Sequence, residues 1–174
     1  MTGAQAATIA FAVLAIVGLA LLMRRGWSRR ATRTAAWVPE LPAVPVHLGE
    51  ALTEPAEGVY LGSTGHDAWL ERVTAHSLGD RTAAVLHVHP AGLLVARGAV
   101  ADLFVPTAAI TGVARVTAFA GKVLGGHGIV AVTWRAGDDG PLIDTGLRLR
   151  HAADQERVLA ALTSLAPTAT KEQE

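Results

Sequence analysis

The chain has 174 residues, no cysteine, 51% apolar residues and a formal net charge of zero from 15 basic and 15 acidic groups. Without cysteine it forms no disulfide, offers no thiolate nucleophile and binds no zinc through sulfur. Five of the basic groups fall between residues 24 and 33, leaving 10 basic against 15 acidic groups elsewhere, and that acidic remainder is a poor surface for nucleic acid.

Residues 4–23 predict a transmembrane helix. The run AATIAFAVLAIVGLALLM, from Ala6 to Met23, has 18 residues, no charge and only Thr8 as a polar side chain. About 18 such residues are enough to cross the hydrocarbon core. A cleaved signal peptide would need a basic leading segment and small residues at the cut. Here no basic residue precedes the run, and Leu21, Leu22 and Met23 lead straight into arginine. A core helix of a globular domain would show one polar face, which this run lacks.

Arg24, Arg25, Arg29, Arg30 and Arg33 follow the run. Basic flanks stay on the cytoplasmic side, so the expected topology is a single pass through the cell (inner) membrane, N-terminus outside and C-terminal domain in the cytoplasm. Trp27 stands where an interfacial indole would sit. The arginines also suit anionic lipid, at about 1 kcal/mol each. The lipid bilayer is therefore the first expected partner.

Residues 24–56 read as a linker, basic at first and then Pro-rich. Pro39, Pro42 and Pro45 recur every third residue, the period of polyproline II, so the segment reads as a semi-rigid spacer. Residues 57–166 are then a domain of mostly β pattern. Val59-Tyr60-Leu61 makes a short strand, while Trp69, Leu70 and Val73 have near-helical spacing that suits a helical turn or an irregular strand. In residues 82–89, Thr82, Ala84, Leu86 and Val88 alternate with Ala83, Val85, His87 and His89. A turn at Pro90 and Ala91 returns the chain through Gly92 to Arg97 as a hairpin. Further strands are expected at 103–105, 110–119, 129–135 and 142–149, with a glycine-rich loop at 121–128. Residues 152–165 change period: Val158, Leu159, Leu162 and Leu165 form one stripe, with Asp154 and Glu156 in the opening turns where acids suit the helix dipole. Pro167 stops the helix, and 167–174 is a polar tail expected to be disordered.

The sum is a mainly β domain of about seven strands closed by one C-terminal helix, a barrel or sandwich that hides its sheet edges. With the segments EGVYLGST, VHPAGLLV, DLFVP, AGKV, VTWR and DTGLR, it resembles the pleckstrin-homology (PH) superfold. The whole chain is similar to actinobacterial single-pass membrane proteins that carry a bacterial PH-like domain and are sometimes labelled transporters. One isolated span forms no conduit. The resemblance implies a membrane-anchored, non-enzymatic adapter that binds a protein partner, through an open sheet edge or beside the C-terminal helix. Phosphoinositide-binding members use a basic cluster between their first two strands. The matching segment here, 61–82, offers Arg72 and Arg81 beside Asp67, Glu71 and Asp80, which argues against phosphoinositide recognition.

Catalytic and cofactor motifs all fail on context, and no catalytic, cofactor or metal residue is assigned. His87 and His89 share a strand face and could offer two imidazoles to one metal, but no third ligand is placed beside them. Gly121-Lys122 lacks the glycine and hydroxyl of a phosphate loop, and Gly126-His127-Gly128 opens a strand where a dinucleotide site needs a helix. Asp144 and Arg148, four apart on one strand, are expected to pair as an edge salt bridge. Two other readings stand beside the adapter: an auxiliary subunit of a membrane transport complex, and a small-ligand or metal sensor on the His87/His89 face.

Overall fold

The computed structural model describes residues 11–23, 37–38, 40–66, 68–123 and 125–166, without the side chain of Trp69. Arg24, Arg25, Trp27, Arg29, Arg30, Arg33 and the tail 167–174 lie outside the described residues. Residues 11–23 form a helix, α1. Among the described residues no helix is long and apolar enough to cross a membrane. The expected span began at residue 4, and its first part lies outside the described residues.

The domain is built from β1 (Ala56–Gly65), β2 (Ala68–Arg72), β3 (Thr82–His89), β4 (Gly92–Ala96), β5 (Leu103–Pro106), β6 (Ile110–Val116), β7 (Ala118–Phe119), β8 (Lys122–Val123), β9 (Ile129–Arg135), β10 (Leu142–Leu149) and the helix α2 (Ala152–Leu165). The strands run antiparallel in the order β5-β4-β3-β1-β10-β9-β6, with β2 on β1 and β7–β8 as a separate hairpin. The register of β1 slips against β10 between Tyr60 and Gly62, where the left-handed φ of +118° at Gly62 accommodates a bulge. Such bulges bend and twist a sheet, and here they let it wrap around one core.

The alternation in β3 is as expected: Ala84, Leu86 and Val88 are buried, whereas His87 and His89 are half-exposed. Inward residues of the other strands join them, including Tyr60, Leu93, Val95, Val132, Trp134 and Leu147. Helix α2 covers this core with Val158 and Leu162, while Leu159 and Leu165 pack at its margin. The predicted apolar stripe thus faces the core. Burying side chains of this size contributes about 1.5–3 kcal/mol each before conformational entropy is counted.

Two segments need the structure to decide them. Of the two alternatives at Trp69 and Leu70, the irregular strand is the one formed: β2 pairs with β1 through Thr64↔Arg72 and Gly65↔Ala68, with a register shift between them. The Pro-rich stretch is also more than a spacer. Val38 is buried in the core and Leu41 packs against it. The Leu52 amide donates to the Val88 carbonyl at 2.8 Å, and the Ala91 amide to the Leu48 carbonyl at 3.3 Å. The packed unit therefore reaches back to Val38, well before residue 57.

Candidate functional site

Two groups of cations in this fold behave in opposite ways. Arg97, at the end of β4, is fully buried. Its Nε and Nη2 donate to the Ala101 carbonyl, its Nη1 donates to the Ser77 carbonyl at 2.8 Å, and its guanidinium lies 4.8 Å from the Tyr60 ring centroid. Tyr60 donates its hydroxyl proton to the Leu78 carbonyl at 2.9 Å and lies 2.8 Å from Ser63 Oγ. Ser63 in turn meets Thr145 Oγ1 at 2.8 Å, and Trp134 donates its indole proton to Thr145 at 2.9 Å. Burial pushes the Tyr60 phenol up to about 12, so it stays neutral across the physiological range. This network locks the turn at His76 and Ser77, whose φ angles of 52° and 56° are left-handed. Every Arg97 proton donor named here ends on a backbone carbonyl, which is a structural role. Ser63 is inaccessible as a nucleophile.

The second group lies on the outer face of the sheet. A groove of about 970 Å³ runs across the starts of β1 and β3 and the ends of β4 and β10. Its apolar floor includes Val59, Ala83, Val85 and Ala96. The pairings Val59↔Arg148, Val59↔Ala83 and Val85↔Ala96 bring these positions side by side. Arg81, Arg148 and Arg150 line the groove with Glu57. Arg150 pairs with Glu57 at 2.9 Å, but both side chains are more than 60% exposed, so the pair is weak. The Arg148 guanidinium makes one hydrogen bond among the described residues, to the Gly125 carbonyl at 3.2 Å. Arg81 makes none among the described residues. His127, also on the wall, donates from Nε2 to the Leu149 carbonyl at 2.9 Å, because a carbonyl only accepts.

Beyond this groove the outer face is covered. The β7–β8 hairpin turns through Ala120 and Gly121, with φ angles of 48° and 75°, and folds back so that Phe119 lies over Gly146. A Cβ on Gly146 would stand 2.7 Å from the Phe119 ring, so this close approach requires glycine. Leu61, Phe119 and Ile129 form a second apolar cluster there. Gly121-Lys122 is thus a hairpin turn with an exposed lysine, the outcome expected once the phosphate-loop motif failed.

The other candidates from the sequence fall as follows. His87 and His89 do share a face, with ring centroids 6.4 Å apart, and His89 Nδ1 donates to the Gly49 carbonyl at 2.9 Å. Among the described residues no group of three potential ligands gathers there or elsewhere. Asp144 and Arg148 do not pair. Four residues of strand span about 13 Å, and nearer cross-strand partners win. Asp144 meets His66 Nδ1 at 3.0 Å and accepts from Thr133 at 2.6 Å, on a central strand and not an edge. Arg72 donates to the Leu61 and Gly79 carbonyls at 3.0 and 3.1 Å, which makes it part of the scaffold. No cue in the sequence links Arg81 to Arg148 and Arg150. Only the register through β1 does so.

A bent antiparallel sheet in this strand order, closed by a C-terminal helix, defines a PH-like domain, a binding and adapter type of fold. The chain matches the Bacterial PH domain-like family over residues 38–163 and belongs to it. That match starts at the residue where burial in the core begins. No curated protein matches the chain.

Proposed function

We propose that this protein is a single-pass membrane protein of the cell (inner) membrane. Its PH-like domain faces the cytoplasm and holds a partner protein without catalysing a reaction. The observation that carries the binding mode is the edge of β6. This strand pairs with β9 on one side only, and it lies beside α2. Thr111, Ala114 and Arg115 are exposed along it, and an ion pair joins Arg115 to Glu156 of α2. An extended segment of a partner can add to such an edge through main-chain hydrogen bonds, with its side chains against α2.

Anchoring is supported by α1. Phe11, Leu14, Ile16 and Leu22 are each at least 67% exposed, and such an apolar helix needs a cover. The five arginines after it support the cytoplasmic orientation. Tethering confines the domain near the bilayer, so that weak contacts with membrane neighbours suffice.

Two experiments test this reading. Protease added to intact spheroplasts should leave the domain whole, and its digestion would reverse the topology. Affinity capture from mildly solubilised membranes should yield a partner that Ala114→Lys loses, because a lysine on an edge blocks strand addition. Capture unchanged by Ala114→Lys would remove the edge from the account.

A further inference from the structure

We propose that the outer-face groove is a binding site for a small organic phosphate, a ring-bearing phosphomonoester being the best match. The site is distinct from the β6 edge and shares no residue with it. Three features select this class. The first is charge: three arginines against Glu57 leave two net positive charges, complementary to a phosphomonoester carrying about −1.5 to −2 near neutral pH.

The second feature is reach. Arg148 and Ala83 both face Val59 from the strands flanking β1, about 10 Å apart at two strand spacings, and Arg81 lies two residues before Ala83. The long arginine side chains rise on both sides of the short ones at Val59 and Ala83, so one phosphate group above β1 lies within range of both. Guanidinium groups engage phosphate oxygens in pairs, which suits this arrangement better than a lysine would. The third feature is the floor. Val59, Ala83, Val85 and Ala96 offer an apolar bed of roughly the size of a sugar or base, so an inorganic anion would leave much of the groove unused. Unlike Arg97, Arg81 and Arg148 keep most of their donors unspent within the domain, and Arg150 is held by an exposed pair that a phosphate can displace.

The test uses the full chain in dodecyl maltoside micelles and 31P NMR titration with adenosine 5′-monophosphate. Parallel titrations use adenosine followed by proton NMR, and micelles doped with short-chain phosphatidylglycerol. Saturable binding of the nucleotide, weakened about tenfold or more by Arg81→Gln with Arg148→Gln, supports the site. Binding should also weaken as salt rises, because the arginines are solvent-facing. Saturation by phosphatidylglycerol alone, lost in the same double variant, would overturn the phosphomonoester assignment, because that headgroup is a singly charged phosphodiester without a ring. Adenosine binding as well as its phosphate, or binding unchanged in the double variant, would overturn the proposal. So would no saturation by either phosphate up to about 10 mM. Arg135→Gln serves as a control: it removes an exposed cation beside the start of β10, the end opposite the groove, and should leave the titration unchanged.

Discussion

The inner and outer arginines of this sheet face opposite demands. Arg97 is enclosed, and its donors are matched by the Ala101 and Ser77 carbonyls and by the face of Tyr60. Arg81, Arg148 and Arg150 stand over a floor of small side chains with few partners of their own. A buried cation must be satisfied from within or the fold fails. A cation at the rim of a groove carries no such obligation, and its spare donors are available to a ligand. The number of internal partners, and not the residue type, separates scaffold from site here.

The comparison breaks most readily at Arg97. Arg97→Ala should destabilise the domain by about 3 kcal/mol or more, since it opens a cavity in place of a fully buried side chain and removes the donors to the Ala101 and Ser77 carbonyls. Chemical denaturation measures this, and a loss below about 1 kcal/mol would mean that Arg97 is not the keystone of the inner network.

Tyr60 tests the same network through pH. Its folded-state value is raised from 10.0 to about 12 by burial, so the neutral form is the one that folding favours. The associated stability is therefore complete below about pH 10 and is lost as pH rises toward about 12, by roughly 2–3 kcal/mol. Tyr60→Phe should remove that part of the alkaline slope. An identical slope in the variant would contradict the assignment.

Gly146→Ala sharpens the outer side. The added methyl would meet the Phe119 ring, so the β7–β8 hairpin must shift, at a cost of about 1–3 kcal/mol. Hydrogen exchange should then rise in residues 118–123 while the inner core stays protected. The smallest effect is expected at the groove itself. Arg81→Gln and Arg148→Gln should each change stability by no more than about 0.5 kcal/mol, because neither holds a buried partner. A larger loss would make them scaffold, like Arg97.

Much of this fold is legible in the residues. The alternation of 82–89, the apolar runs 129–135 and 142–149 and the stripe on α2 each match one period and one burial pattern. β2 was ambiguous because its spacing is helical and only its pairing with β1 makes it a strand. The start of the domain was obscured by Pro39, Pro42 and Pro45. Proline signals local backbone preference, whereas the burial of Val38 is tertiary. The groove had no sequence signature at all. Arg81 lies just before β3, Arg148 on β10 and Arg150 just beyond it, and strand register alone brings them together across β1. The β6 edge was anticipated only in kind, as an open edge, since which strands end a sheet is a property of topology.

The central claim is that binding resides in the PH-like domain and that the N-terminal segment serves only to place it. The most direct measurement captures partners from native membranes with the full chain and with a chain beginning at Trp37, which keeps Val38 and Leu41 in the core. The account predicts that the shortened chain retains the partner at reduced yield, and that Ala114→Lys abolishes it in both. A partner held by the full chain and entirely absent from a folded shortened chain would contradict it, and would assign recognition to the N-terminal helix.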